Sequence, residues 1–235
     1  MQPVFLITDL FVYGILLFVL WYMWHVRSDH NLLANWRLAM RRPVAMVSSM
    51  VLGFFMLVAL VDSLHYRVAL PDSPGQTTRQ YAAEPQSLLD KVLQPLSSAR
   101  ERSYSEPLSA VAFRKETFER DGVSVRDYPR LRFGGKHLAD PAAELSTDVT
   151  TQTVSALGIG LTIVLTTLLL GLSIAKVQTG QSFATVFSRF KAGHTEWPWR
   201  SMAITFTLMV LAICWVVVLS QGYHVFGTDR TGNSV

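Results

Sequence analysis

Four long runs of apolar residues dominate this 235-residue chain. A helix needs about 20 consecutive apolar residues to cross the hydrocarbon core of a bilayer, which is about 30 Å thick. Each run reaches that length, and the whole chain is 50% hydrophobic and only 16% charged. The predicted spans are residues 4–24, 44–64, 153–175 and 202–220. We therefore expect a mainly α-helical integral membrane protein with four transmembrane helices.

The charges between the runs predict how the chain is oriented. Loop 25–43 carries four arginines against the single acid Asp29, and loop 176–201 carries four basic residues against Glu196. Short loops rich in Lys and Arg stay in the cytoplasm, so both chain termini and the long central segment are expected on the opposite side. The predicted domains are a transmembrane hairpin over residues 1–64, an extracytoplasmic domain over 65–149, a transmembrane hairpin over 150–223 and an extracytoplasmic segment over 224–235.

The central segment combines helix and hairpin signals. In SLLDKVLQPLSSARER the leucines and the valine recur at helical spacing, and Pro95 is expected to bend or divide that helix. TFERDGVSVRDY alternates apolar and polar residues around Asp121 and Gly122, a dipeptide that favours a tight hairpin turn. Basic and acidic residues balance in this segment, which suits a solvated surface. A small α+β domain between spans two and three is therefore predicted.

No pattern in the chain indicates catalysis or nucleic-acid binding. His65, His137, Asp140 and Glu144 are the best catalytic candidates, but HLADPAAE lacks metal-ligand spacing. Neither a G-x-S-x-G turn nor a phosphate-binding glycine loop occurs. The net charge of +4 is not gathered into a basic block with interleaved aromatics. We expect solvated or capping roles for the four residues, no metal, no bound cofactor and no enzyme; a membrane-anchored envelope enzyme is the weakest alternative.

Small residues in the third span predict a helix-packing surface. Ala156 and Gly160 stand one turn apart, as do Thr162 and Thr166, and small residues at that spacing let a second helix approach closely. The favoured partner is a neighbouring span of the same chain, and a second subunit is the alternative.

Two acids lie near the ends of the first two spans. Asp9 and Asp62 are expected at the membrane boundary, where a carboxylate still reaches headgroup water. An intramembrane proton or ion site is the alternative interpretation.

The C-terminal segment HVFGTDRTGNSV follows the fourth span directly and is dense in turn-forming residues. Thr228 and Asp229 can make local backbone hydrogen bonds, and Gly227 and Gly232 permit positive φ. A tight structure is therefore expected, with a frayed polar tail as the alternative.

This segment resembles the F-G-T-D-x-x-G region of oligopeptide/dipeptide-type ABC importer permeases. The matching residues are His224, Phe226, Gly227, Thr228, Asp229 and Gly232. Ser234 departs from the pattern, which usually has Asp there. Upstream, YSEPL, DYPRLRFGGKHLADP and the long central insert resemble the branch of the family that has an enlarged N-terminal region.

The resemblance implies a non-catalytic permease subunit in the bacterial inner membrane. Its partners would be a second permease subunit, ATPase subunits and an extracytoplasmic solute-binding protein, with ATP bound only by the ATPases. The family's pore-forming bundle and coupling helix follow the F-G-T-D segment and have no counterpart here, so the chain is expected to be truncated before the translocation core. The alternative function is a self-contained four-span scaffold whose outer domain binds an envelope partner.

Overall fold

The computed structural model describes residues 2–69, 80–97, 100–120, 123–193 and 195–234. Its helices are α1 Ile7–Ser28, α2 His30–Met40, α3 Pro43–Asp62, α4 Leu88–Ser97, α5 Pro141–Thr179, α6 Phe183–Ala192 and α7 Trp199–Leu219. Its strands are β1 Gln2–Val4, β2 His65–Arg67, β3 Gln86–Ser87, β4 Glu116–Arg120 and β5 Val123–Asp127.

Four of these helices, α1, α3, α5 and α7, are long and apolar enough to cross a membrane. Each overlaps one of the four predicted spans, and the predicted fold class is confirmed: the fold is mainly helical, with small sheets. The largest difference is α5, which has 39 residues and begins well before the predicted span at residue 153. At about 1.5 Å per residue it is roughly 58 Å long, about twice the thickness of the bilayer core.

The two ends of α5 are fixed by side chains and by backbone geometry. The Asp140 carboxylate accepts a hydrogen bond from the Ala142 N–H at 3.0 Å, and the Glu144 carboxylate accepts one from the Ala139 N–H at 2.8 Å. The capping roles expected of Asp140 and Glu144 are therefore confirmed. At the other end, Gly180 has φ 66° and its N–H donates to the Lys176 carbonyl, a left-handed cap that glycine adopts without steric cost.

The chain groups into two compact units. One comprises Met1–Leu93 and Phe187–Thr205, and the other comprises Gln94–Val186 and Phe206–Val235. This grouping divides the central segment at residue 93, whereas the predicted domain covers residues 65–149 without a break. In the first unit, β2 and β3 form one antiparallel sheet with β1 at the start of the chain.

In the first unit, this sheet is accompanied by a buried acid at the start of α1. Asp9 is only 2% exposed, and its Oδ2 atom lies 3.0 Å from His65 Nδ1 and accepts a hydrogen bond from the Leu6 N–H at 2.9 Å. The expectation that Asp9 reaches headgroup water is therefore wrong, because its carboxylate is buried and bonded to His65 and to the helix N-terminus. Asp62, by contrast, is exposed at the end of α3.

The central segment contains both predicted elements. The strands β4 and β5 pair antiparallel from Glu116 opposite Asp127 to Arg120 opposite Val123, which confirms the hairpin. Its turn residues Asp121 and Gly122 lie outside the described residues. The predicted helix is α4, which continues through Pro95 without being divided.

The core of the second unit lies where α7 ends. Buried side chains from the central segment meet residues at and just after the end of α7 in one cluster, formed by Ala110, Leu138, Leu219, Tyr223 and Val225. A hydrogen bond from Trp215 Nε1 to Thr153 Oγ1, 3.3 Å long, also joins α7 to α5. The chain beyond α7 is thus packed onto the segment that precedes α5.

Candidate functional site

Beyond α7 the chain turns into a packed stretch, residues 224–234, which we call the closing segment. The Leu108 N–H donates to the His224 carbonyl at 3.0 Å, and the Glu101 N–H donates to the Gly232 carbonyl at 2.7 Å. Just before it, the Gly135 N–H donates to the Gly222 carbonyl at 2.9 Å. These bonds tie the closing segment to two stretches of the central segment. It is a folded element, not a frayed tail.

Thr228 anchors the middle of the closing segment. Thr228 is only 5% exposed. Its Oγ1 atom donates to the Ser103 carbonyl at 2.8 Å and lies 3.1 Å from Ser105 Oγ. Its backbone also bridges to Ser105 on one side and to Ser234 on the other. The motif threonine therefore joins the closing segment to residues 103–105 of the central segment.

Asp229 organises the turn that follows. Its Oδ1 atom accepts hydrogen bonds from the Thr231 N–H at 2.8 Å and from the Asn233 N–H at 2.9 Å. The Thr231 hydroxyl, followed by the backbone N–H of Asn233, holds the pKa of Asp229 below its usual range. This is the local backbone bonding expected of an aspartate in a turn.

The two motif glycines occupy positions that other residues would not tolerate. Gly227 and Gly232 have φ of 82° and 80°, which is the left-handed region. A Cβ atom on Gly232 would overlap the Glu101 carbonyl, and one on Gly227 would overlap the Ser105 carbonyl. Another motif residue, Phe226, lies outside this packing and is 62% exposed.

A buried carboxylate that sequence reasoning missed lies beneath the closing segment. Glu101 Oε1 accepts hydrogen bonds from the Phe133 N–H at 2.7 Å and the Gly134 N–H at 3.1 Å, and Oε2 accepts one from the Arg132 N–H at 2.8 Å. His224 Nε2 lies 3.2 Å from Oε1. Glu101 thus connects the central segment directly to the first residue of the closing segment.

The surroundings of Glu101 favour its ionised form. Burial by itself raises the pKa of this carboxyl group, but the three backbone N–H donors and the His224 side chain outweigh that effect. The resulting pKa lies below the usual range for glutamate. A carboxylate is therefore held inside the fold as an anion by oriented dipoles.

A second polar cluster joins α5 to the end of α7. Asp148 Oδ2 lies 2.8 Å from His137 Nε2, and it accepts hydrogen bonds from the Tyr223 hydroxyl at 2.6 Å and from Gln152 Nε2 at 2.7 Å. Burial and the bond to Asp148 raise the pKa of Tyr223, so the phenol stays protonated and remains a donor. These bonds therefore link residues before and within α5 to the chain that follows α7.

The predicted packing residues of the third span lie on two different faces. Ala156 is fully buried and Gly160 is also buried, and the position of a Gly160 Cβ atom would lie 2.9 Å from Leu211 Cδ2 on α7. Thr162 and Thr166 are exposed, and their hydroxyls donate to carbonyls one turn earlier at 2.8 Å. Gly160 therefore lies against α7, and Ala156 is buried one turn before it.

A groove of about 640 Å³ opens beside Glu101. Four arginines and two acids are among its lining residues: Arg100, Arg102, Arg130, Arg132, Glu101 and Glu116. We call it the arginine groove. Within the described ranges, no group of three or more His, Cys, Asp or Glu side chains is arranged to hold a metal ion.

Comparisons with known proteins leave the family open. No protein-family model matches the chain, and neither a curated protein nor a solved structure matches it. The composition and the four long apolar helices are those of a multi-pass membrane protein, for which a lipid bilayer is the natural surrounding.

Proposed function

We propose that this chain is a non-catalytic, membrane-spanning component of an ATP-driven peptide-type importer in a bacterial inner membrane. The proposal rests on the closing segment. Its F-G-T-D residues, which resemble those of the importer permeases, fold into a packed element directly after α7. Thr228 and Gly232 are both buried there, and both contact residues 101–105 of the central segment.

The role of the chain in such an importer is mechanical rather than chemical. The Glu101–His224 and Asp148–Tyr223 contacts hold the start of α5 and the end of α7 against the folded central segment. Together these parts would form a fixed frame at the extracytoplasmic mouth of the transport path. ATP binding and hydrolysis would take place on partner ATPase subunits, and a second permease subunit and a solute-binding protein would complete the assembly.

The orientation is tested by cysteine labelling of the full chain. In a Cys214→Ala background, a cysteine is introduced at Glu106 in the central segment or at Ala184 in α6; both residues are exposed. We expect a membrane-impermeant maleimide to label Glu106→Cys in intact spheroplasts and Ala184→Cys only after permeabilisation. The reverse pattern would put the closing segment in the cytoplasm and exclude the importer assignment.

The assembly is tested by purifying the tagged full chain from membranes of its own bacterium after mild cross-linking. We expect an ATPase subunit and a second permease subunit in stoichiometric amounts, identified by mass spectrometry. Recovery of an envelope protein without any ATPase would contradict the importer and favour the four-span scaffold. A Thr228→Val variant, which removes the bond to Ser103, reports whether the closing segment is needed for assembly.

A further inference from the structure

The arginine groove has an unusual concentration of positive charge for a part of the chain that is otherwise balanced. Its four guanidinium groups come from two stretches, residues 100–102 and 130–132, that flank the buried Glu101. Counting the two glutamates that also line it, the formal charge of the groove is 4 − 2 = +2. Two buried apolar residues, Leu131 and Ala112, also line the groove.

Three of the four guanidinium groups are held in place by uncharged partners. Arg100 Nε donates to the Thr231 carbonyl at 3.0 Å, which links the groove to the closing segment. Arg130 donates to the carbonyls of Leu138 and Gly135. The Arg132 guanidinium lies 5.4 Å from the centre of the Phe133 ring. Partners of this kind orient a guanidinium without cancelling its charge.

The two lining glutamates therefore do not neutralise the positive charge of the groove. In the part of the chain that the structure describes, none of the four arginines forms an ion pair with a carboxylate. Glu101 has both oxygens occupied by three backbone N–H groups and by His224. Arg102 is exposed at the groove, and within the described part of the chain it has no hydrogen-bond partner.

We propose that the arginine groove binds the phosphate group of an anionic ligand. A phosphate monoester carries a charge of about −1.5 to −2 at pH 7, which matches the +2 of the groove more closely than a single carboxylate does. Guanidinium groups bind phosphate oxygens through paired hydrogen bonds. The groove is also larger than one phosphate needs, so it has room for the organic remainder of a phosphate ester or lipid headgroup. This inference does not depend on the proposed importer function.

Binding is tested on the detergent-solubilised full chain with two probes. Binding of inorganic phosphate is measured by calorimetric titration, with potassium chloride at equal ionic strength as the control. Retention of phosphatidic acid is compared with that of phosphatidylcholine by native mass spectrometry. We expect Arg102→Gln to weaken binding about tenfold, since it removes one of four guanidinium groups, and Arg102→Lys to weaken it less. Arg114→Gln, which removes an exposed arginine outside the groove, should leave binding unchanged.

The two probes distinguish the source of the phosphate. Arg102-dependent retention of phosphatidic acid identifies a lipid headgroup, and dependence seen only with inorganic phosphate identifies a soluble ligand; either result supports the site. The proposal is overturned if the unaltered protein binds neither probe, or if Arg102→Gln and Arg114→Gln bind both equally. Because Arg102 is exposed, the Arg102→Gln variant without ligand should unfold at the same temperature as the unaltered protein. This control separates loss of binding from loss of fold.

Discussion

His224 Nε2 and Glu101 Oε1 lie 3.2 Å apart, although 123 residues separate them in the sequence. Their side chains are only 4% and 2% exposed. The contact joins the first residue of the closing segment to the loop that precedes the β4–β5 hairpin. Because water reaches neither group, each depends on the other and on nearby backbone donors for its polar partners.

Replacing the buried carboxylate should destabilise this region. Glu101→Gln keeps the shape of the side chain but removes its charge and points an amide donor at backbone N–H groups, so we expect a loss of about 2–3 kcal/mol in the free energy of unfolding. The measurement is thermal unfolding in detergent, followed by intrinsic fluorescence. Glu106→Gln, at an exposed glutamate, is the control. Equal unfolding temperatures for the two variants would contradict the role given to Glu101.

The same carboxylate predicts a pH dependence of stability. The pKa of Glu101 is lower in the folded than in the unfolded protein, so its contribution is complete above its ordinary value of 4.5 and is lost as the pH falls through the folded value. We expect the unfolding temperature to fall below about pH 4.5 and to fall less steeply in Glu101→Gln. If the unaltered protein and Glu101→Gln gave parallel pH profiles, Glu101 would have the same pKa in the folded and the unfolded protein, which would contradict this prediction.

The packing of the closing segment is tested at its second glycine. Gly232 and Gly180 have similar positive φ, but a Cβ atom has open space at Gly180 and overlaps the Glu101 carbonyl at Gly232. Gly180→Ala should cost about 1 kcal/mol of unfolding free energy from the backbone conformation alone. Gly232→Ala should cost at least 2 kcal/mol more, because of the added overlap.

Limited trypsin digestion reports this difference locally. In Gly232→Ala we expect faster cleavage at Arg230 and Arg102, since the closing segment would detach from the central segment. Gly180→Ala should be cleaved there at the rate of the unaltered protein. If both variants are cleaved alike, the closing segment is not held by the contact between Gly232 and Glu101.

The contact between α5 and α7 is tested by a matched pair of glycines. Leu211 occupies the space beside Gly160, whereas Gly158 has nothing within 4 Å of the Cβ position. Gly160→Leu should lower the free energy of unfolding by about 1–3 kcal/mol through overpacking, and Gly158→Leu should have little effect. Thermal unfolding of both variants in the same detergent makes the comparison. A larger effect at Gly158 would indicate that the opposite face of α5 is the packed one.

The features that the sequence predicted correctly depend on neighbouring residues. The four long apolar helices follow from runs of apolar residues, and the pairing of β4 with β5 follows from alternation of apolar and polar residues on both sides of an Asp-Gly dipeptide. The caps at Asp140 and Glu144 also lie within one helical turn of the groups they bond. Such signals can be read from a short window of sequence.

The features that it missed depend on residues far apart in the chain. Glu101 lies in a polar stretch typical of a surface, and its burial arises from contacts with residues 132–134 and with His224. Asp9 is buried because His65, 56 positions later, lies beside it. The early start of α5 was missed for a different reason: residues 141–152 are too polar for a hydropathy search, although they continue the same helix.

The length of α5 also has a mechanical consequence. Its backbone hydrogen bonding is unbroken from Pro141 to Thr179, so the helix has no joint at which a tilt can be absorbed. For a rigid rod about 58 Å long, a rotation of about 10° around its midpoint displaces each end by about 5 Å in opposite directions. Such a rotation would therefore move Asp148, near one end of α5, and Thr179, at the other end, in opposite directions.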